Sequence, residues 1–347
     1  MSRAEFYQSH LNLVSRSFAF CIARLPEPLR EQVGLAYLLC RVLDCVEDAN
    51  WEEKDGQRQA QLSQFNQFIN FMTEAAEPQV IKVWVQKFPN GLPEAEQELL
   101  QISGELLGDF HAHPPEVQAA LLNPILSMAR GMSYFAQRKN DRGELKIRSL
   151  RELNQYCFFV AGVVGEILTS LVKLQNVNIR DSELENAIHF GFFLQKINIL
   201  KDQLEDEGEG RFFVPSRDLV KQSLEQHAKC ALEYVTQLPE RLKGFRLFCS
   251  WSLFIGLASV PWIEKSWRAK KLMKIPRLQT QSLLWEIESK VENNSELTEL
   301  FGELFPGAMK SADIAVGVVV NEPADDLMNL YSGNLSHMQL KKLGVAG

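Results

Sequence analysis

The chain has 347 residues, 46% of them hydrophobic, which is enough apolar mass for one large core or two fused ones. A net charge of −7 argues against an overall basic surface for nucleic-acid phosphates, so nucleic acid is not an expected partner. The six cysteines (Cys21, Cys40, Cys45, Cys157, Cys230, Cys249) sit in apolar contexts without metal or redox spacing and read as buried hydrophobes in a reducing compartment.

In chain order, the N-terminal MSRAEFYQSHLNLVSRSF lacks the apolar core of a signal peptide, which predicts a cytoplasmic protein. Apolar residues then recur at three- and four-residue spacing in LREQVGLAYLLCRVLDCVED, LLNPILSMARGMSYFAQR, LNQYCFFVAGVVGEILTSLV, AIHFGFFLQKINILKDQLED and SLLWEIESKVE, each of which predicts a helix. Alternating strand patterns bounded by turns are missing, and no repeat is evident. Breakers cluster at 88–96, 111–116 and 138–146, the predicted inter-helix loops. Residues 247–263 are uncharged but fall short of the roughly 20 residues of a spanning helix and include serines and a proline, so a buried core helix is expected. The C-terminal stretch has weaker periodicity, and 315–347 is expected to be a peripheral or flexible tail. The expectation is one all-α domain over 1–347.

Two short acidic clusters stand out. RVLDCVED places Asp44, Glu47 and Asp48 at i, i+3 and i+4, and NILKDQLEDEGEGRFF repeats the arrangement at Asp202, Glu205 and Asp206. Like charges at i,i+4 on a helix repel by about 0.2–0.5 kcal/mol per pair. One reading of each cluster is a solvated helix face, the usual fate of a charge run. The other follows from position: both clusters continue an apolar run, so the acids point to the interior or its rim, where carboxylates need a metal or a partner cation. Carboxylate oxygens suit a hard cation, and Mg²⁺ takes one or two of them while sharing its other positions with substrate phosphates. A calcium-loop reading fails because the acids lie on helices, and GEG at 208–210 lacks the length and lysine of a P-loop; it reads as a helix end followed by a mobile flap.

Mg²⁺ on a diphosphate above an apolar helical cavity would stabilise a leaving diphosphate and promote ionisation of an allylic carbon. Such a cation must be kept dry, and aromatic faces can steady it. Phe18, Phe20, Phe158, Phe159, Phe192, Phe193, Phe212 and Phe213 lie beside the motifs, although each alone reads more readily as core than as lining.

SRSFAF (15–20), RVLDCVED (41–48), YCFFVAGVVGE (156–166) and LQKINILKDQLEDEGEGRFFVP (194–215) together resemble the successive motifs of squalene and phytoene synthases, head-to-head prenyl-diphosphate condensing enzymes. The similarity runs in order from about residue 10 to 280, and 194–215 is closer to squalene synthase. The resemblance implies a single-domain helical bundle of the isoprenoid synthase type around a central apolar cavity. It implies that Asp44, Glu47, Asp48, Asp202, Glu205 and Asp206 bind Mg²⁺ from opposite walls, with Ser15, Arg16, Ser17, Phe18, Gln195, Asn198 and Arg211 on the substrate. Arg41 would meet diphosphate or clamp the acids, and Tyr37 would face the cavity. Tyr156 matches a tyrosine assigned in the family to proton abstraction; with an ordinary pKa near 10 it is a poor base, so a relay or cation-steadying role, or a merely buried tyrosine, stays open.

For the reductive half-reaction the resemblance implies NADPH, with Lys201, Lys274 and Arg277 as cations for its phosphates. Lys201 stands where the family has an arginine, Pro276 replaces a basic residue of the KLMKIPR segment, and FCSWSL (248–253) lacks the family's Pro-Gln pair. The expected function is squalene synthesis from two farnesyl diphosphates through presqualene diphosphate by a monomer that touches a membrane peripherally to release product. The alternatives are a phytoene or dehydrosqualene synthase, arrest at presqualene diphosphate, and a non-catalytic helical protein that keeps the acids as metal or interaction sites.

Overall fold

The computed structural model describes residues 2–51, 55–140, 142–306 and 326–346; the side chains of Arg16 and of 55–57 also lie outside this description. Two short strands apart, the regular structure of the described residues is helical, as the periodicity predicts. By internal contacts the chain divides into two compact units: residues 1–143 with 170–176 and 329–333, and residues 144–169 with 177–328 and 334–347.

The first unit holds α1 (Arg3–Val14), α2 (Arg16–Ile22), α3 (Leu29–Asp48), α4 (Asp55–Thr73), α5 (Pro78–Val85), α6 (Glu94–Gln101), α7 (Ser103–Ala112) and α8 (Pro115–Gln137). Helix α3 is its spine. Leu35, Leu38, Leu39, Val42, Leu43 and Val46 are fully enclosed on one side, while Tyr37, Arg41, Asp44 and Glu47 form a half-buried stripe and Asp48 is exposed. That is the apolar-to-polar switch of an amphipathic helix seated at the edge of a core. Gly34 lets α1 approach, since a Cβ there would lie 3.3 Å from Tyr7 Cβ. Gln61 of α4 donates to the carbonyls of Val46 (2.9 Å) and Glu47 (3.2 Å), satisfying groups that the end of α3 leaves without helical partners.

In the second unit a parallel two-residue ladder joins β1 (Leu145–Lys146) to β2 (Arg211–Phe212). Its bonds run from Leu145 N to Gly210 O and from Ile147 N to Phe212 O, each 2.9 Å. The segment after GEG, expected as a mobile flap, is therefore tied by hydrogen bonds. Gly210 sits at φ +79°, a left-handed conformation that glycine adopts without strain. Helix α9 (Leu150–Cys157) is capped by Ser149, whose Oγ accepts from Glu152 N at 3.1 Å, and it runs through a π-turn (Phe158–Gly162) into α10 (Val163–Lys173). Helix α11 (Asp181–Gly208) packs against the π-turn and against α12 (Arg217–Gln237). Helices α13 (Lys243–Ala269), α14 (Arg277–Lys290), α15 (Asn294–Leu304) and α16 (His337–Lys342) complete the unit.

The YCFFVAGVVGE motif has a packing logic. A Cβ on Gly165 would fall 2.3 Å from Ala187 O, and one on Gly191 would fall 2.4 Å from Ala161 O. Backbone meets backbone here, so α11 and the α9–α10 segment touch more closely than any side chain allows. Beneath them lies a buried polar group. Lys196, fully enclosed, donates to Asn154 Oδ1 (2.6 Å) and Ser223 Oγ (2.9 Å) and contacts His227 Nε2 (2.8 Å), whose Nδ1 lies 3.0 Å from His189 Nδ1. Burial holds the Lys196 ammonium down to about 8 and both histidines below the usual imidazole range.

The stretch 247–263 lies inside α13 and is largely buried, the core role expected of it. By length and composition 150–173 and 240–269 would suffice to cross a membrane, yet 67% and 61% of their apolar windows are buried in the fold. Of the expected tail, 315–325 lies outside the described residues, whereas 326–346 packs with Leu327, Leu335, Leu340 and Val345 buried. Gln155 Nε2 donates to Val345 O at 2.9 Å, and Asn334 N donates to Glu166 Oε1 at 2.6 Å.

Candidate active site: two acid-bearing helix ends

Both acidic clusters sit at the C-terminal ends of their helices, α3 ending at Asp48 and α11 at Gly208. The helix dipole is negative there and disfavours carboxylates. Local propensity therefore does not explain these acids; a cation does.

In the first unit, Arg41 answers part of that demand. Its Nη1 is 3.0 Å from Asp44 Oδ2 and its Nη2 pairs with Glu96 of α6. Glu96, only 8% exposed, belongs to the site although PEAEQELL reads in the sequence as an ordinary acidic helix start. Burial would lower the pKa of Arg41, but Asp44 and Glu96 outweigh it and the guanidinium is held firmly charged. Its Nε is buried and makes no hydrogen bond among the described residues. Burial pushes the Asp44 carboxyl up to about 6, with Arg41 opposing and Asp48 reinforcing the rise.

Ser15, where α1 breaks into α2, lies beside the Tyr37 hydroxyl, and Phe18 packs on the Tyr37 ring with centroids 5.4 Å apart. Burial pushes Tyr37 up to about 12 despite the Ser15 hydrogen bond, which keeps it a neutral donor. Ser17 is exposed, and the side chain of Arg16 lies outside the described residues.

In the second unit, Gln195, Asn198, Asp202 and Glu205 follow one another at helical spacing along the solvent-reaching side of α11. Lys201 bridges part of this row, with Nζ 3.1 Å from Asp202 Oδ2 and 3.2 Å from Asn198 Oδ1. Arg211 closes the other end. Its Nε and Nη2 reach Asp206 Oδ1 at 3.1 and 2.9 Å, and Nη2 lies 2.7 Å from Glu209. Burial raises the Asp206 pKa against the pull of Arg211. Tyr156, 5% exposed, stacks on Phe213 directly after β2, with centroids 4.7 Å apart and planes 29° apart. Lys274 and Arg277 are exposed on the link into α14, and Trp267 Nε1 donates to Leu200 O at 3.1 Å, which ties the end of α13 beside the turn of α11 that carries Lys201.

The donor set fits Mg²⁺. Mg²⁺ takes one or two carboxylates and leaves its other positions to water and phosphate; among the described residues no group of three His, Cys, Asp or Glu side chains is placed to hold a metal ion. Of the three cations expected for NADPH phosphates, Lys274 and Arg277 are exposed, while the Lys201 ammonium is engaged by Asp202.

Comparison with known proteins is consistent across sequence and fold. The squalene synthase of Candida albicans is 32% identical over 189 residues, 53% of this chain and 39% of that one. That of Saccharomyces cerevisiae is 32% identical over 177 residues, 50% and 37% of the two chains. The alignments thus span about two fifths of the length of these relatives. In three dimensions a ligand complex of TcSQS superposes with a TM-score of 0.66 at 21% identity, covering 88% of this chain and 98% of that one. A ligand-bound dehydrosqualene synthase superposes at 0.53 with 19% identity, covering 84% and 96%. These likenesses establish an all-α fold of the isoprenoid synthase type. The squalene/phytoene synthase profile matches residues 11–243, about two thirds of the sequence, including SRSFAF, YCFFVAGVVGE and both acidic clusters. The chain belongs to the squalene/phytoene synthase family.

Proposed function

We propose that this protein is a squalene synthase, condensing two farnesyl diphosphates head to head to presqualene diphosphate and reducing that intermediate to squalene. The observation that carries the reading is that each unit has a helix end bearing acids, already holding an arginine. Mg²⁺ held by these acids would supply the charge that stabilises a leaving diphosphate. The protein's part is to place charge around it. Asp44, Glu47 and Asp48, with Asp202, Glu205 and Asp206, supply the oxygen ligands. Arg41 and Arg211 exchange carboxylate partners for phosphate oxygens, a task for which a planar fork is suited. The free Nε of Arg41 supports this reading, because a buried donor without a partner gains most from an incoming acceptor.

Tyr37 presents a neutral hydroxyl, and Ser15, Ser17 and Phe18 line the substrate side of α2. Tyr156, stacked on Phe213, steadies the cation or relays its proton to released diphosphate, the stronger base. Asn198 and Gln195 extend the polar row of α11 toward substrate. NADPH supplies the hydride of the second half-reaction; Lys274 and Arg277 hold its phosphates, with Lys201 joining when it releases Asp202. A C30 hydrocarbon is almost insoluble, at about 0.8 kcal/mol per buried CH₂, so product leaves into lipid and the enzyme works against a membrane.

One observation favours a second reading. Lys201 is committed to Asp202 and lacks the fork of an arginine, which suits a synthase that stops short of reduction, at presqualene diphosphate or dehydrosqualene. Product analysis from farnesyl diphosphate and Mg²⁺, with and without NADPH, separates the two. Squalene with NADPH and presqualene diphosphate without it is the expected pattern; one desaturated C30 product in both conditions would replace the first reading with the second. Asp44→Asn and Asp202→Asn should each lower turnover by orders of magnitude with the helical signal intact, and full activity in EDTA would remove the metal from the scheme.

A further inference from the structure

Residues 265–285 contain six cations, Lys265, Arg268, Lys270, Lys271, Lys274 and Arg277, and no carboxylate, in a chain whose net charge is −7. All six are exposed, and none pairs with a carboxylate among the described residues; Lys274 and Arg277 are proposed above for NADPH, which leaves Lys265, Arg268, Lys270 and Lys271 to another anionic partner. An apolar band accompanies them. Leu278 is 79% exposed, Trp285 75% and Leu272 43%. Leu278 and Trp285 are seven residues apart on α14 and so share one face, whose other members, Gln281, Ser282 and Ser289, are uncharged and exposed. The opposite face of α14 is already in use. Leu283 and Ile287 are buried, and Trp251 Nε1 donates to Leu284 O at 3.1 Å.

The basic link is equally fixed. Lys270 closes α13 in a left-handed conformation, Lys271 N donates to Ser266 O at 3.2 Å, and Met273 N donates to Ser266 Oγ at 2.8 Å. The band is thus presented by ordered backbone.

A surface of this composition is matched by one kind of partner. An indole and a leucine on an uncharged helix face fit the headgroup–acyl boundary of a bilayer, and unneutralised lysines and arginines fit its anionic headgroups. A nucleic acid would satisfy the cations and leave Leu278 and Trp285 in water. We infer that the outward face of α14 and the basic link before it form the docking surface for an anionic lipid bilayer. The assignment rests on this surface and not on the reaction proposed above, so it is tested without substrate.

The test is flotation of the purified full chain with vesicles of phosphatidylcholine mixed with phosphatidylglycerol, and with vesicles of phosphatidylcholine alone. Binding is expected to the mixed vesicles only, and to weaken as salt is raised. Lys270→Glu with Lys271→Glu should reduce partitioning about tenfold or more, and Leu278→Ser with Trp285→Ser should reduce it comparably. The wild type should show a blue shift of tryptophan emission on binding that Trp285→Phe diminishes. Thermal melts should be unchanged, because all four positions of the paired variants are exposed. Failure to float with the mixed vesicles, or equal binding by the paired variants, overturns the inference. So does a dimer that Leu278→Ser with Trp285→Ser converts to monomer, which would make this face a contact between copies.

Discussion

Gly191→Ala adds one methyl group where α11 meets the π-turn. The new Cβ would fall 2.4 Å from Ala161 O and 2.8 Å from Gly162 Cα, both backbone atoms that cannot rotate away. Real contacts of this type stay beyond 3.0 Å, so the two segments must part by at least about 0.6 Å. Overpacking of this kind costs about 1–3 kcal/mol, and a backbone obstacle puts the cost at the upper end. Alanine returns about 1 kcal/mol of helix propensity, leaving a net loss of about 2 kcal/mol, or some 4–8 °C in the melting midpoint. Gly108→Ala is the control: it lies inside α7 with nothing within 4 Å of its Cβ, and should hold or raise the midpoint. Turnover of Gly191→Ala should fall further than its stability, because α11 carries Asp202 and Asp206 and the segment it must leave begins one residue after Cys157, beside Tyr156. Both variants are followed by circular dichroism melts and diphosphate release. If Gly191→Ala melts with or above Gly108→Ala, the close backbone contact is not what the glycines serve.

Lys196 gives a pH signature: its folded pKa is depressed to about 8 against 10.5, so between those values the unfolded chain binds more protons and stability should rise with pH. That rise, read from denaturation midpoints, should vanish in Lys196→Met, and an unchanged slope would mean that the buried ammonium is not its source. His189, held down to about 4, has the same sign on the acid side, with stability falling as pH drops from 6.5 toward 4. Arg41→Lys keeps the charge but cannot span both Asp44 and Glu96, and turnover should drop by about tenfold or more; wild-type turnover would show that the fork is dispensable. Lys274→Ala should cut squalene while leaving presqualene diphosphate formation nearly intact, and parallel loss of both products would place Lys274 outside the cofactor's reach.

The helices and their acids were legible because both obey short rules. The bounds of α3 coincide with the apolar run 29–48, and the i, i+3, i+4 spacing of the acids survives folding as a stripe at the edge of a core. Glu96 was not legible, since its partner Arg41 lies 55 residues away and nothing local marks an acid that will be buried. Lys196 was hidden for a related reason. A charge inside LQKINIL reads as a surface residue, and only the meeting of α9, α11 and α12 supplies Asn154, Ser223 and His227 as its partners. The glycines of YCFFVAGVVGE mark a motif in the sequence, but their purpose depends on which carbonyl stands opposite.

The two-residue ladder between β1 and β2 has a mechanical consequence. Ahead of β1's continuation stands Ser149, the cap of the helix that carries Tyr156; behind β2 stands Phe213, the ring on which Tyr156 rests. Arg211, within β2, grips Asp206. A ladder this short opens at small free-energy cost, yet while it is closed its two arms travel together. Drawing the Arg211 guanidinium toward an anion therefore pulls on the tyrosine's support from both sides, and amide exchange at Leu145 and Ile147 should slow when diphosphate binds at the far end of that lever.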